Sequence, residues 1–583
     1  MSLPIRIGHE VDSDNAVHID PIALALHAWI IGLTGSGKSE LIKSILIQRL
    51  MDASSSPAVF VIDPLGGLSK DFLNFFAHPT LSPDSLRDRL VYIELARGDK
   101  ILTMNPLEHE SADDLFFNTG QAVEVMLRGS ASQDLSSQPR LRQWMFNAFL
   151  STAAMNYPPA MAEFLLRPGT EQHVQMLRQI PERLRLVWAE ILKTGSSVKM
   201  QLLESTRNRT ASFFDCPILR LMFSHRVGKF DVQEMIRERK FVLINLAPQG
   251  VITEDIASTV GGLFVNRILS AIRNMPVEQV KPTILCLDEC QRWIGQDLLN
   301  AIPEVRQRGA ELILSHQSIS QLKRGDIDMT SILHQCRNKI VFCNSGEDAD
   351  LLANEFAAMD FDPMRLKEEL KSFRQKKVGQ HKEILRSYGT TETVSDASDI
   401  SSGKTTSSNR STTKPNSGDG GSEQTGQSES ESQSNSRKSA RSSGSSESFS
   451  ETLVDDIEDF YEVNSRTYYT FQEQFQEWAK RVRKLKTGQM VCIFKDDPKL
   501  YHVMGEMIEI LETPTLLKLK EELIERNFKQ KYFISREEAE ASLNEMIENL
   551  RLGRTPQIID AESKRIEKND DSDSEDENND VFR

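Results

Sequence analysis

The sequence lacks the features of a membrane-anchored or exported protein. No run approaches the roughly 18 apolar residues that a helix needs to cross a bilayer, and His27 interrupts the longest near-apolar stretch, PIALALHAWIIGL. The N-terminus does not show the basic and then apolar order of a secretory signal. The six cysteines are scattered without a CxxC pair, which argues against a zinc or disulfide framework. These absences predict a cytoplasmic protein without a membrane span.

A basic, aromatic-rich signature of nucleic-acid binding is also lacking. The net charge is −15, but acids concentrate in the tail DAESKRIEKNDDSDSEDENNDVFR and in a serine-rich segment, so this value describes no single surface. Basic clusters such as RLRQW, STRNRT and RERK, or Lys323 with Arg324, are more often solvated helix faces than DNA contacts. Charge alone therefore neither supports nor excludes DNA.

Strand-like and helix-like runs alternate along the chain, which predicts an α/β fold with a parallel sheet. The composition collapses into Ser, Thr, Gly, Asn and Glu after Tyr388, where too little apolar surface remains to offset the entropy of ordering. The predicted segments are a first part of the core (1–109), a helical insertion (110–235), a second part of the core (236–387), a disordered serine-rich linker (388–451), a closing helix and strand of the core (452–512), a C-terminal helical segment (513–554) and a disordered acidic tail (555–583).

The stretch GLTGSGKS has the form GxxxxGK[ST] and lies between the strand-like AWII and the helix-like SELIKSIL, the context that such a phosphate loop requires. Its glycines let backbone amides point at phosphates, with a helix dipole behind them. Lys38 would reach the β- and γ-phosphates, and Ser39 would ligate Mg²⁺. The motif predicts ATP and Mg²⁺ as cofactors and a RecA-like P-loop NTPase sheet flanked by helices. The predicted nucleotide-binding residues are Gly32, Thr34, Gly35, Ser36, Gly37, Lys38 and Ser39.

Two adjacent carboxylates, Asp288 and Glu289, end the apolar run ILCLDE. Neighbouring acids repel each other and resist burial, so a nearby cation or strongly polarised water would explain them. Asp288 would hold the Mg²⁺ shell as a Walker-B aspartate does, and Glu289 would act as the general base for the attacking water. An ordinary strand end with solvated acids is the alternative. The pair predicts hydrolysis rather than nucleotide binding alone.

Polar residues also flank the next strand, ELILSH. Gln317 follows it, where a side chain that both donates and accepts hydrogen bonds suits a sensor of the γ-phosphate, whereas His316 is expected to support packing. In P-loop ATPases with a catalytic Glu, this strand lies between the phosphate-loop strand and the Walker-B strand. Arg306 and Arg308 precede it, and either would serve as an arginine finger for a neighbouring subunit's nucleotide. A solvated helix end is the alternative, and it is stronger for Arg308.

With these elements in order, the chain resembles the FtsK–HerA superfamily of hexameric DNA-pumping ATPases, especially its HerA-like and conjugative coupling-protein branches. VFVIDPLGGL is similar to the family's Asp-Pro-x-Gly segment, with Asp63, Pro64 and Gly66 in place, and ILTMNPLEH to its Asn-Pro-Leu. RQRGAELILSHQSISQL places Arg306 at the family's arginine. The resemblance implies a ring of six subunits with ATP between them and double-stranded DNA in the pore. The small β-barrel of HerA proteins and the membrane helices of coupling proteins are missing from this chain.

The resulting hypothesis is an ATP-hydrolysing, hexameric motor that translocates double-stranded DNA, as a HerA-like helicase or a conjugative DNA-transfer coupling ATPase does. One alternative is an assembly ATPase whose ring recruits an effector such as a nuclease through the C-terminal helices and acidic tail. Another is an ATPase that moves protein, with a secretion or transfer component as partner. The sequence leaves conjugation, end-processing and defence open as the biological task.

Overall fold

The computed structural model describes residues 3–52, 56–109, 111–129, 139–193, 196–293, 296–324, 327–328, 330–331, 335–393, 406–411, 424–429, 442–495, 497 and 499–556. The chain divides into two compact units, one comprising Met1–Pro363 with Thr470–Arg583 and the other Met364–Tyr469. None of the described helices is long and apolar enough to span a bilayer.

The strands in chain order are β1 (Ile5–Glu10), β2 (Ala16–Ile19), β3 (Ala28–Ile31), β4 (Ala58–Asp63), β5 (Leu90–Glu94), β6 (Lys100–Leu102), β7 (Phe241–Asn245), β8 (Thr283–Leu287), β9 (Ala310–His316), β10 (Lys323–Arg324), β11 (Ile327–Asp328), β12 (Asn338–Val341), β13 (Leu366–Thr393), β14 (Thr406–Ser411), β15 (Gln424–Glu429), β16 (Ser442–Tyr468), β17 (Gln489–Ile493), β18 (Tyr501–Gly505) and β19 (Phe533–Ser535).

An 11-stranded sheet in the order β2-β1-β18-β17-β12-β3-β9-β8-β4-β7-β5 forms the centre of the first unit. The strands from β12 to β5 run parallel, and those from β2 to β17 pair antiparallel, as does β17 with β12. The parallel strands are almost wholly buried, as continuous apolar runs such as AVFVID require. The predicted α/β class and P-loop sheet are confirmed, and β9 lies between β3 and β8.

The helices in chain order are α1 (Pro21–Leu24), α2 (Lys38–Met51), α3 (Gly67–Ala77), α4 (Asp84–Arg87), α5 (Ala112–Gly129), α6 (Pro139–Ala154), α7 (Ala162–Leu165), α8 (Glu171–Gln179), α9 (Glu182–Lys193), α10 (Ser196–Phe214), α11 (Pro217–Met222), α12 (Val232–Arg237), α13 (Glu254–Asn274), α14 (Gln296–Gln307), α15 (Gly346–Asp360), α16 (Phe471–Arg483), α17 (Pro514–Asn527) and α18 (Arg536–Arg551).

Helices α5 to α12 lie between β6 and β7, in the stretch for which the sequence predicts a helical insertion. The insertion belongs to the same compact unit as the sheet. The C-terminal helical segment belongs to that unit as well: β19 pairs with β6 in a small antiparallel sheet, and α17 packs against α3 and β5. Residues 513–556 are therefore part of the folded core unit rather than an appendage to it.

Parts of the segment predicted to be disordered, residues 388–451, lie in strands of the second unit. Strands β13 and β16 pair antiparallel from Leu366↔Tyr468 to Thr393↔Ser442, and β14 pairs with β15. Serine-rich sequence can join such a hairpin because the strands are paired by backbone hydrogen bonds, which need no apolar side chains. Residues 394–405, 412–423 and 430–441 lie outside the described residues, as does the predicted acidic tail from 557 onward.

Candidate functional site

The phosphate loop connects β3 to α2 and is held in a shape that glycine alone adopts readily. Gly35 and Gly37 have φ angles of 75° and 115°, in the left-handed region. A Cβ atom on Gly32 would lie 2.5 Å from Cβ of Phe342, and one on Gly37 would lie 3.2 Å from Cα of Gly488. The loop is therefore packed against the chain after β12 and before β17, which fixes its curl at the start of α2.

Lys38 folds back across this loop. Its Nζ donates to the carbonyl oxygens of Gly32 at 2.6 Å and Leu33 at 3.2 Å. Burial lowers the pKa of Lys38, while the nearby charges of Glu289 and Asp288 oppose that change. The Oγ of Ser36 is buried and has no hydrogen-bond partner in the described part of the chain. A curl of amides with a buried ammonium and an unpaired hydroxyl fits the oxygens of a polyphosphate.

The acidic pair lies at the carboxyl end of β8, and both side chains are buried. Burial raises the pKa of Asp288 to about 6, with further contributions from the charges of Asp63 and Glu289. Clustered buried carboxylates are costly without a cation. Asp288 lies near Lys38, the residue before the exposed Ser39, and this position fits Mg²⁺.

Glu289 has a backbone conformation that is unusual for its residue type. Its φ and ψ angles are 48° and 49°, a left-handed conformation that costs a residue with a Cβ roughly 1–2 kcal/mol. Both carboxylate oxygens then meet amides: Oε1 accepts from Nε2 of Gln317 at 2.6 Å, and Oε2 accepts from Nε2 of Gln291 at 2.7 Å. Strain at this one residue accompanies a carboxylate that is fixed in direction.

Gln317 joins the phosphate loop to the acidic pair. Its Oε1 accepts a hydrogen bond from Oγ1 of Thr34 at 3.1 Å while its Nε2 donates to Glu289. His316 lies beside it within the sheet, where its Nε2 accepts from Nε1 of Trp29 at 2.5 Å. Burial lowers the pKa of His316 to about 4, so the ring is a neutral packing element. The loop, acidic pair and sensor predicted from separate motifs thus form one connected cluster.

Arg306 and Arg308 lie at the amino ends of the parallel strands, opposite the carboxyl ends where the acidic pair lies. They precede β9, whose seven residues separate the two edges by about 20 Å. Arg308 donates from Nη1 to the carbonyl of Met275 at 2.8 Å. Arg306 is exposed, and its guanidinium makes no ion pair or hydrogen bond with the described residues. The fold therefore does not bring Arg306 into the site of its own subunit.

Other residues in the site were not predicted to have a role there. The Asp63 carboxylate, fully buried at the end of β4, accepts backbone hydrogen bonds from Leu65, Gly66 and Ser69 at 2.7–3.0 Å and so orders the start of α3. Its sequence signal is the Asp-Pro-x-Gly segment. Gly488 donates its N–H to the carbonyl of Ser36 at 2.8 Å, and no local pattern indicates that contact. Gln291 has no sequence signal either, because its side chain reaches Glu289 only through the shape of the turn that follows β8.

Comparisons with known proteins identify a family and several similar structures. A family model described as the type IV secretion-system coupling protein DNA-binding domain matches residues 16–366, well over half of the chain. The unbound bacterial conjugative coupling protein TrwBdeltaN70 gives a TM-score of 0.48 at 15% identity, covering 86% of this chain and 89% of that one. The plasmid coupling protein TrwB in complex with the GTP analogue GDPNP gives 0.49 at 14%, covering 88% and 93%. VirB4 of Thermoanaerobacter pseudethanolicus gives 0.39 at 12%, covering 60% and 87%. No curated protein matches the chain.

Proposed function

This chain belongs to the family of type IV secretion-system coupling protein DNA-binding domains, and from that premise we propose that it is an ATP-hydrolysing motor that moves double-stranded DNA. The observation that carries the proposal is the continuous hydrogen-bonded path from Thr34 through Gln317 to Glu289. It joins a phosphate-binding loop to a carboxylate that can act as a base, as ATP hydrolysis requires. ATP and Mg²⁺ are the cofactors.

The residues of the site divide the chemistry among them. The loop amides and Lys38 would hold the β- and γ-phosphates, and Ser39 with Asp288 would hold Mg²⁺. When bound, the metal neutralises charge that develops on the phosphate oxygens. Glu289 accepts the proton of the attacking water, and the amides of Gln317 and Gln291 fix the direction of its carboxylate. Gln317 also contacts the loop, so a change at the phosphate end reaches the base through one side chain.

The motor is proposed to work as a ring of six subunits with DNA in its pore. An exposed Arg306, about 20 Å from the nucleotide site of its own subunit, fits a finger that completes the site of the next subunit. Lys323 follows the sensor by six residues and is exposed in the β10–β11 hairpin. Basic side chains repeated around a pore give a salt-dependent grip on phosphates, and this position couples that grip to Gln317.

ATPase activity with and without duplex DNA tests the proposal. We expect duplex DNA to stimulate hydrolysis in the unaltered protein, and the stimulation to fall steeply as salt rises because phosphate contacts release counterions. Glu289→Gln should retain ATP binding and lose at least about 100-fold in turnover, whereas Lys38→Ala should weaken binding itself. Hydrolysis that is indifferent to DNA would instead favour a partner-recruiting or protein-moving ATPase, and normal turnover by Glu289→Gln would reject the assigned chemistry.

A further inference from the structure

The second unit contains a long two-stranded arm, defined as β13 with β16. The strands have 28 and 27 residues, which corresponds to about 90 Å of extended chain. Within the described residues, neither strand pairs with a third one. An isolated two-stranded ribbon is at best marginally stable in water, and its outer edges present unpaired backbone N–H and C=O groups. The arm therefore has two open edges along its length.

One face of the arm carries an exposed apolar row. Phe449, Leu453, Ile457 and Tyr461 recur every fourth residue of β16 and therefore point to the same face. Their exposed fractions are 59%, 58%, 55% and 69%. Such a row in a two-stranded ribbon gains little burial, whereas neighbouring strands on both sides would cover it. The row is therefore apolar surface that further strands beside the arm would help to bury.

The two strands carry opposite charge. Arg466 is the sole Lys or Arg of β16, which otherwise bears acids between Glu447 and Glu462, while Lys and Arg outnumber acids in β13. Two ion pairs across the arm follow this division, Arg374–Glu462 at 3.1 Å and Lys382–Glu451 at 3.0 Å. The pair Arg466–Glu369, at 2.9 Å near the base of the arm, has the opposite polarity. One open edge of the arm is consequently basic and the other acidic.

We propose that the arms of neighbouring copies of this chain pair side by side, with the acidic β16 of one copy against the basic β13 of the next. Arms that point the same way then meet antiparallel, so each junction between copies repeats the strand direction and charge pairing found within one arm. A two-fold pairing would instead set β13 against β13 or β16 against β16, with like charges opposed. The charge division thus selects a head-to-tail contact, the type from which rings are built when the rotation between copies closes.

Protection of a sheet edge is the other common role of charged strands. Proteins place charges on open edges so that two edges repel each other, which is achieved when both edges carry the same sign. In this arm the edges carry opposite signs, and the same electrostatic rule makes one edge attractive to the other. The partner that these edges fit is a second copy of the chain.

Disulfide cross-linking between two single-cysteine additions tests the proposal. Lys376 and Glu458 lie opposite each other in the arm, are exposed, and belong to strands whose facing Cβ atoms come within disulfide range. The full-length Lys376→Cys and Glu458→Cys proteins are mixed with each other in buffer without ATP, oxidised and run on a non-reducing gel. We expect a covalent dimer in the mixture and none in either variant alone. A parallel reaction with a short bismaleimide instead of the oxidant detects the same contact if the register between the two copies is shifted.

The double variant Lys376→Cys with Glu458→Cys in one chain, diluted to prevent association, supplies the folding control. Its two introduced thiols should be lost to oxidation while the protein still runs as a monomer on the non-reducing gel. That result shows that the arm has formed. A formed arm without a dimer in the mixture overturns the proposal, as does a dimer within either single variant, which indicates two-fold pairing. A double variant that keeps its free thiols also overturns it. The unsubstituted protein controls for its own cysteines. Because the readout needs neither ATP nor DNA, it is independent of the proposed motor activity.

Discussion

Gln317 is the residue on which the chemistry of the site depends most, although it is neither the base nor a metal ligand. Its single amide group contacts Thr34 on one side and Glu289 on the other. A side chain of similar size without hydrogen-bonding atoms would leave the Glu289 carboxylate held by Gln291 alone, and it would break the connection between the carboxylate and the phosphate loop. Positioning of this kind acts on turnover rather than on binding of the nucleotide.

Gln317→Met is therefore expected to lower kcat about 100-fold while KM for ATP changes only a few-fold, by analogy with the loss of one preorganised hydrogen-bond donor. Steady-state ATPase kinetics provide the measurement. Thr34→Val is the matched control, since it removes the contact to the loop but leaves the Gln317–Glu289 hydrogen bond, and it should cost less. Equal losses in the two variants would show that Gln317 does not act through Glu289.

His27 also acts at the scale of one residue. It is buried, its Nδ1 accepts from the N–H of Leu312 at 3.1 Å, and burial, with a smaller effect of Arg306, lowers its pKa to about 4. The unfolded state, with a histidine pKa of about 6.5, binds a proton more readily than the folded state in this range. The stabilisation is thus complete above pH 6.5 and is lost as the pH falls toward 4.

Between pH 7.5 and pH 5 this one histidine should remove about 2 kcal/mol from the free energy of unfolding. Urea titrations at the two pH values measure the difference. His27→Asn is the informative variant, because asparagine tolerates the left-handed φ of 66° at this position and does not titrate. It should be less stable at pH 7.5 but lose about 2 kcal/mol less on acidification. An unchanged pH dependence would exclude His27 as a source of it.

At the scale of elements, a buried ion pair connects the phosphate-loop helix α2 to the sensor strand β9. Nη2 of Arg49 lies 2.7 Å from Oε1 of Glu311, and the side chains are only 5% and 7% exposed. Burial raises the pKa of Glu311 to about 7 although Arg49 opposes the change. Desolvation thus rivals the attraction between the charges, and the pair specifies how the helix sits on the strand more than it stabilises the fold.

Arg49→Met should destabilise the protein by about 3–5 kcal/mol, because it leaves Glu311 buried without a cation. The double variant Arg49→Met with Glu311→Leu should recover most of that loss, since an apolar pair of similar volume replaces both charges. Urea midpoints of the two single variants and the double variant complete the cycle. Additive effects would show that the two side chains do not depend on each other.

At the scale of the whole molecule, residues far apart in the chain close the edge of the central sheet. Asn527, at the end of α17, accepts from the backbone N–H of Tyr92 at 2.8 Å and donates to its carbonyl at 2.7 Å. Its amide therefore imitates a neighbouring strand for the edge strand β5 and leaves that edge covered. Removal of residues 513–583 would expose the edge, so such a truncation tests folding rather than partner binding alone.

Asn527→Leu should lower the free energy of unfolding by about 2–4 kcal/mol, because it leaves two buried backbone groups of Tyr92 without partners. Asn544→Leu is the matched control, since Asn544 is exposed on α18 and its replacement should change stability by less than about 0.5 kcal/mol. Thermal unfolding of the two variants gives the comparison. Equal stabilities would mean that water satisfies Tyr92 in place of Asn527.

The sequence by itself determined the elements whose evidence is local. The glycine loop with its flanking strand and helix, the acids after β8 and Gln317 after β9 were recognisable because each depends on residues close together in the chain. The family match confirms the resemblance that these motifs indicated. Their meeting at one sheet edge also follows from sequence, since consecutive parallel strands bring their carboxyl ends together.

Only the tertiary structure decided what depends on distant segments. It placed Arg306 at the far edge from its own site, gave Glu289 its left-handed backbone, brought Gly488 to the phosphate loop and Asn527 to β5, and paired β13 with the serine-rich β16. The physical reason is that each of these features is a contact between residues far apart in sequence, or a local strain that such contacts maintain. Hydrophobic periodicity and short motifs report what a segment prefers alone, and long-range contacts are not contained in that preference.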